Sequence, residues 1–112
     1  MVMEKREGLE KLRPVLEEFK RELRGIYGPR FKQLIVYGSY ARGEAEEGSD
    51  LDLLVVLDRA DDPLAERERL SEVIFKLALK YNIVLSVLPI AERDLERPKP
   101  LLLNVKREGI AV

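Results

Sequence analysis

Residues 38–54 read Gly38-Ser39-Tyr40-Ala41-Arg42-Gly43-Glu44-Ala45-Glu46-Glu47-Gly48-Ser49-Asp50-Leu51-Asp52-Leu53-Leu54, and the two ends of this stretch decide how the rest of the chain is read. The first end follows the β-branched run Gln33–Tyr37 and opens a short helix. Glycine there lets a bound group approach the backbone, Ser39 offers a hydroxyl, and the amides of the turn suit phosphate oxygens. Arg42 lies one helical turn further on, placed to supply a cation to the same anion or to pair with Glu44 or Glu46. The second end is Ser49-Asp50-Leu51-Asp52. Residues two apart on a strand project to one face, so both carboxylates point the same way, roughly 7 Å apart at Cα. Their repulsion and desolvation are relieved by a hard cation, and Mg²⁺ accepts a few carboxylates together with phosphate oxygens. A plain strand-to-helix turn and a capping Asp50 are the bland alternatives for either half alone. Eleven residues from Ser39 to Asp50, with Gly43 and Gly48 between, place both halves at one end of a two-strand unit.

Outward from this unit, Leu51–Leu57 is nearly all apolar beyond Asp52, as expected of a strand covered on both faces. Upstream, Leu9, Leu12, Leu16, Phe19, Leu23 and Ile26 fall at steps of three and four and predict an amphipathic helix, kinked or started at Pro14 and stopped by Gly25 and Gly28-Pro29. Downstream, Asp62 is placed to cap a helix with Pro63 at its first position, carrying the stripe Leu70, Val73, Ile74, Leu77 and Tyr81. Tyr81-Asn82 closes it. Ile83–Leu88 reads as a third strand ended by Pro89. After Pro98 and Pro100 come a short helix or turn and a last edge strand over Gly109–Val112. Helix, strand, strand, helix, strand and tail make one α/β layer sandwich, a single domain over residues 1–112.

Composition narrows the chemistry. The 112 residues hold 20 basic and 21 acidic side chains, a net charge of −1, so bulk charge gives no evidence for nucleic-acid or anionic-membrane binding. With no cysteine and no histidine, thiol nucleophiles, disulfides, zinc-thiolate sites and imidazole bases are excluded. The start, Met1–Gly8, has no apolar run of signal length, and Ile83–Ile90 is far short of a membrane span, so a cytoplasmic protein is expected.

Gly38-Ser39-Tyr40-Ala41-Arg42-Gly43 followed by Gly48-Ser49-Asp50-Leu51-Asp52-Leu53-Leu54-Val55 resembles the GS…SDxDLLV signature of the polymerase-β-like nucleotidyltransferase superfamily, and the compact GSxARG form resembles its minimal, MntA-like branch. The resemblance implies an α+β nucleotidyltransferase fold, a small mixed sheet backed by helices. It implies ATP bound through Gly38 and Ser39, Mg²⁺ held by the catalytic pair Asp50 and Asp52, and AMP transfer to a hydroxyl with release of pyrophosphate. Ser49 would orient the acids or contact phosphate, and Arg42 would neutralise phosphate charge or pair with its glutamate neighbours. The acceptor it implies is a HEPN-domain partner protein in a toxin–antitoxin pair. Homo-oligomerisation is left open.

One part of the pattern is missing. Active relatives carry a third carboxylate on a later strand facing the first two, and Ile83–Leu88 holds none. Ser86 is the polar residue nearest that position, read either as the stand-in or as a small group filling a core-side gap; Glu92, Asp94 and Asp58 lie too far along. A nucleotide-binding or partner-docking module with weakened catalysis is therefore the alternative function.

Overall fold

The computed structural model describes residues 5–112. Helix α1 (Lys5–Tyr27) leads through a 3-10 turn at Gly28–Arg30 into β1 (Phe31–Tyr37), the short helix α2 (Ser39–Arg42) and β2 (Leu51–Leu57). Helices α3 (Pro63–Arg69) and α4 (Ser71–Tyr81) then precede β3 (Leu85–Ala91), and α5 (Pro100–Glu108) and β4 (Ile110–Ala111) complete the chain. The sheet order is β3-β2-β1-β4. β1 runs antiparallel to β2 and β4, whereas β2 and β3 are parallel, so the sheet is mixed as expected.

β2 is central and buried on both faces, and this is why it reads as an unbroken apolar run. Leu51, Leu53, Val55 and Leu57 face a main core that includes Leu12, Leu16, Phe19 and Leu23 of α1 and Ile74 and Leu77 of α4. Leu54 and Val56 face the other way, where Ile35 and Val105 form a smaller core under α5. Asp52 belongs to this second face by alternation. One residue therefore decides which side of the sheet the acids occupy.

Several boundaries differ from the sequence expectation. α1 runs through Pro14, which is exposed on the solvent side, where a lost helical hydrogen bond is tolerated by water. It also passes Gly25 and ends at Tyr27, which takes the core position expected of Ile26. The single downstream helix is two, jointed at the buried Leu70. Asp62 does cap α3, accepting from the Ala65 amide at 3.2 Å, and Asn82 ends α4 in the left-handed region at φ 51°. β3 begins two residues later than Ile83 and continues through Pro89 to Ala91. It is an edge strand, where the missing N–H of a proline can face away from the ladder.

The end of α1 is tied to α3 by a buried acid that the sequence pattern does not reveal. Glu66 accepts from Arg30 at 3.1 Å and from the Tyr27 hydroxyl at 3.4 Å, and Arg69 lies at 3.5 Å. Burial, then the neighbouring Glu66 charge, pushes the Tyr27 phenol up to about 12. Because the folded state holds this proton more tightly than the unfolded chain, stability is undiminished below pH 10 and falls as pH rises towards 12. The loss is about 2–3 kcal/mol at ~1.4 kcal/mol per pH unit. Denaturant melts at pH 9 and pH 12 test this, and Tyr27→Phe should flatten the decline.

Candidate active site

The C-terminal end of β1 and the start of β2 meet because the two strands are antiparallel and Tyr37 pairs with Asp52. The Gly38-Ser39 turn leaves β1 at that point and is brought against the acids. Gly38 takes φ 75° and ψ −153°, a region that only glycine enters without strain. A Cβ at this position would lie 2.2 Å from Asp52 Oδ2, so the absence of a side chain is what admits the carboxylate.

Gly38, Ser39, Arg42, Ser49, Asp50 and Asp52 line one cavity of about 380 Å³, within the range of small-ligand sites. All six sequence candidates are thus brought together. Tyr37 completes the floor, and Leu101, Asn104 and Glu108 of α5 form the far wall. These four were missed by sequence reasoning. Their signal was the spacing 101, 104, 108 along one helix face, which has no meaning until α5 is known to dock over β1.

Asp50 is exposed at the strand entrance and Asp52 is partly buried. Burial raises the Asp52 carboxyl above its ordinary range, the Asp50 charge raises it further, and Arg42 partly offsets both. Since burial is the larger cause, carboxyl-detected NMR titration should find the Asp52 midpoint lowered only part-way in Asp50→Asn. Arg42 donates to Glu44 at 3.1 Å and to Glu108 at 3.2 Å, so of the two surface partners expected it takes Glu44 and not Glu46. Ser49 accepts from the Glu46 amide at 2.8 Å, clamping the turn before β2 while keeping its own O–H free to donate.

Ser86 stands in register with Asp52 on the neighbouring strand and is exposed. The reading of Ser86 as filler of a core-side gap is therefore corrected: alternation along β3 turns Leu85 and Val87 inward and leaves Ser86 on the side of the acids. No cluster of three or more acidic side chains able to hold a metal occurs among the described residues.

Three carboxylates (Asp50, Asp52, Glu108) and one guanidinium (Arg42) line the cavity. Such a lining repels a bare polyphosphate and attracts a cation. The donor set fits Mg²⁺ held by two carboxylates, with its remaining ligands drawn from phosphate oxygens and water.

A mixed four-stranded sheet that presents a glycine–serine turn and two aspartates at one end, with helices behind, has the layout of a nucleotidyltransferase domain. A family model described as a nucleotidyltransferase domain matches residues 16–108, and the chain belongs to that family. The protein adenylyltransferase MntA of Thermococcus cleftensis is 38% identical over 79 residues, which cover 69% of this chain and 76% of the relative. A solved structure described as a minimal nucleotidyltransferase is 34% identical, with a TM-score of 0.59 over 93% of this chain and 95% of that one. The fold is also that of a toxin–antitoxin protein crystallised with AMP-PNP, at 22% identity and a TM-score of 0.57 over 85% of this chain and 70% of that one. Among the described residues no helix is long and apolar enough to cross a membrane.

Proposed function

We infer that this nucleotidyltransferase moves AMP from ATP·Mg²⁺ to a hydroxyl group of a partner protein. The observation that carries the reading is the contact of Gly38 with Asp52, which sets a phosphate-type turn directly against a cation-seeking acid pair. Gly38 and Ser39 bind the triphosphate, with Ser39 and Ser49 donating their hydroxyls to its oxygens. Asp50 and Asp52 hold the metal, and Arg42, drawn from Glu44 and Glu108, balances charge on the phosphates. Bound there, Mg²⁺ neutralises charge on the triphosphate and so eases departure of pyrophosphate.

In the transfer the acceptor oxygen forms a bond to the α-phosphorus as the bond to the pyrophosphate oxygen breaks, in line with it. The hydroxyl proton leaves to solvent as the new bond to phosphorus forms. The acceptor hydroxyl is one carried by the partner protein. A HEPN-domain protein in a toxin–antitoxin pair is the partner that the resemblance implies. A cytoplasmic setting suits this chemistry.

Incubation with α-labelled ATP, Mg²⁺ and a HEPN-domain partner protein tests the reading. Label should move to the partner with the wild type and not with the double variant Asp50→Asn, Asp52→Asn; equal labelling by both, or none by either, contradicts it. A second reading is favoured by Ser86, because a hydroxyl stands in register with Asp52 where active relatives have a carboxylate. On that reading the chain binds ATP·Mg²⁺ and docks on its partner with little turnover. Calorimetry showing tight binding alongside absent transfer would select it.

A further inference from the structure

The two acids are walled on the β1 side by Tyr37 and α5, but the opposite side is β3, an edge strand with no further strand beyond it. There the Leu51 amide donates to the Val84 carbonyl at 2.8 Å, so Val84 lies across from the residue between Asp50 and Asp52. Neighbouring strands are about 5 Å apart, which puts whatever covers Val84 within reach of the acids. Val84 is 59% exposed, and it continues an apolar ridge on α4 formed by Phe75 and Leu79, 67% and 68% exposed one helical turn apart. These three side chains line a groove of about 750 Å³ between α1 and α4, and Ser49 lines both this groove and the candidate active-site cavity. A molecule held on the ridge is therefore continuous with the site.

We propose that the Phe75–Leu79–Val84 ridge is the docking track for the acceptor protein, which seats an apolar segment in the groove and carries its hydroxyl over Val84 and Ser86 to Asp50 and Asp52. This inference rests on the transfer reaction argued above. The occupant is the acceptor, because the groove shares Ser49 with the candidate site and a protein seated in it carries its own side chains to the edge where the acids lie. Lys11 and Glu47 at the rim offer one charge of each sign, which suits a mixed polar border around an apolar centre. Three large apolar side chains exposed side by side along one groove, unlike the scattered Leu64 and Leu103, mark an interaction surface.

The test uses the full chain with ATP, Mg²⁺ and the same HEPN-domain protein, comparing wild type, Phe75→Glu, Leu79→Glu, and Leu64→Glu as an equally exposed control outside the groove. All three sites are at the surface, so circular dichroism melts should match the wild type. The proposal expects Phe75→Glu and Leu79→Glu to lower kcat/KM for the acceptor about tenfold or more, mainly through KM, with ATP affinity unchanged and Leu64→Glu inert. Transfer unchanged in both groove variants overturns the docking track and leaves the reaction standing. Absence of transfer by the wild type overturns the reaction and the track with it. A wild-type dimer that Phe75→Glu dissociates assigns the groove to a second copy and also overturns the proposal.

Discussion

Asp52→Asn should transfer AMP at least about a thousandfold more slowly than the wild type while melting at a higher temperature at pH 7. The loss of rate follows from removing one of the two carboxylates proposed to hold the metal, several kcal/mol of transition-state stabilisation. The gain in stability follows from the same residue. Burial and the Asp50 charge raise the folded-state affinity of Asp52 for a proton, so its ionised form is disfavoured in the fold at neutral pH. That penalty grows as pH rises through the raised midpoint and vanishes in acid, where both folded and unfolded chains hold the proton. An uncharged asparagine of the same shape avoids it. The wild type should accordingly gain stability relative to Asp52→Asn as pH falls, until the two converge. A variant that loses both rate and stability in parallel would show that Asp52 is a structural group.

Gly38→Ala should cost about 2 kcal/mol in stability and a hundredfold or more in transfer. At φ 75° and ψ −153° an L side chain is strained whatever surrounds it. The added methyl would also meet Asp52 Oδ2 at 2.2 Å, so either the turn or the carboxylate must move. Both movements separate the glycine–serine turn from the aspartate pair. Chemical denaturation and the labelling assay measure the two effects. Full activity in Gly38→Ala would mean that the close approach of turn and acid has no part in the reaction.

The site was legible in the sequence to the extent that it is local. Gly38, Ser39, Ser49, Asp50 and Asp52 lie within one strand–turn–strand unit, and period-two alternation alone places both carboxylates on one face. β2 was legible to the residue because it is buried on both faces and flanked by polar chain. What was not legible depends on contacts between distant elements. The α5 wall exists only because that helix docks over Ile35 and Leu54, and Arg42 finds Glu108 sixty-six residues away. The buried Glu66 looks in sequence like any exposed helical acid, since its burial is set by Tyr27 and Arg30 from the far end of α1. Pro89 misled the end of β3, because proline terminates an inner strand and is tolerated at an edge. Edge status is a property of sheet order, which no single strand encodes.

The central claim is that the glycine–serine turn and the aspartate pair capture a polyphosphate only together with a divalent cation. Calorimetric titration with AMP-PNP, run with Mg²⁺ and again with EDTA, addresses it most directly. Binding that requires Mg²⁺ and disappears in the Asp50→Asn, Asp52→Asn double variant is the predicted result. Equal affinity in EDTA, or undiminished Mg²⁺-dependent binding by the double variant, would contradict it.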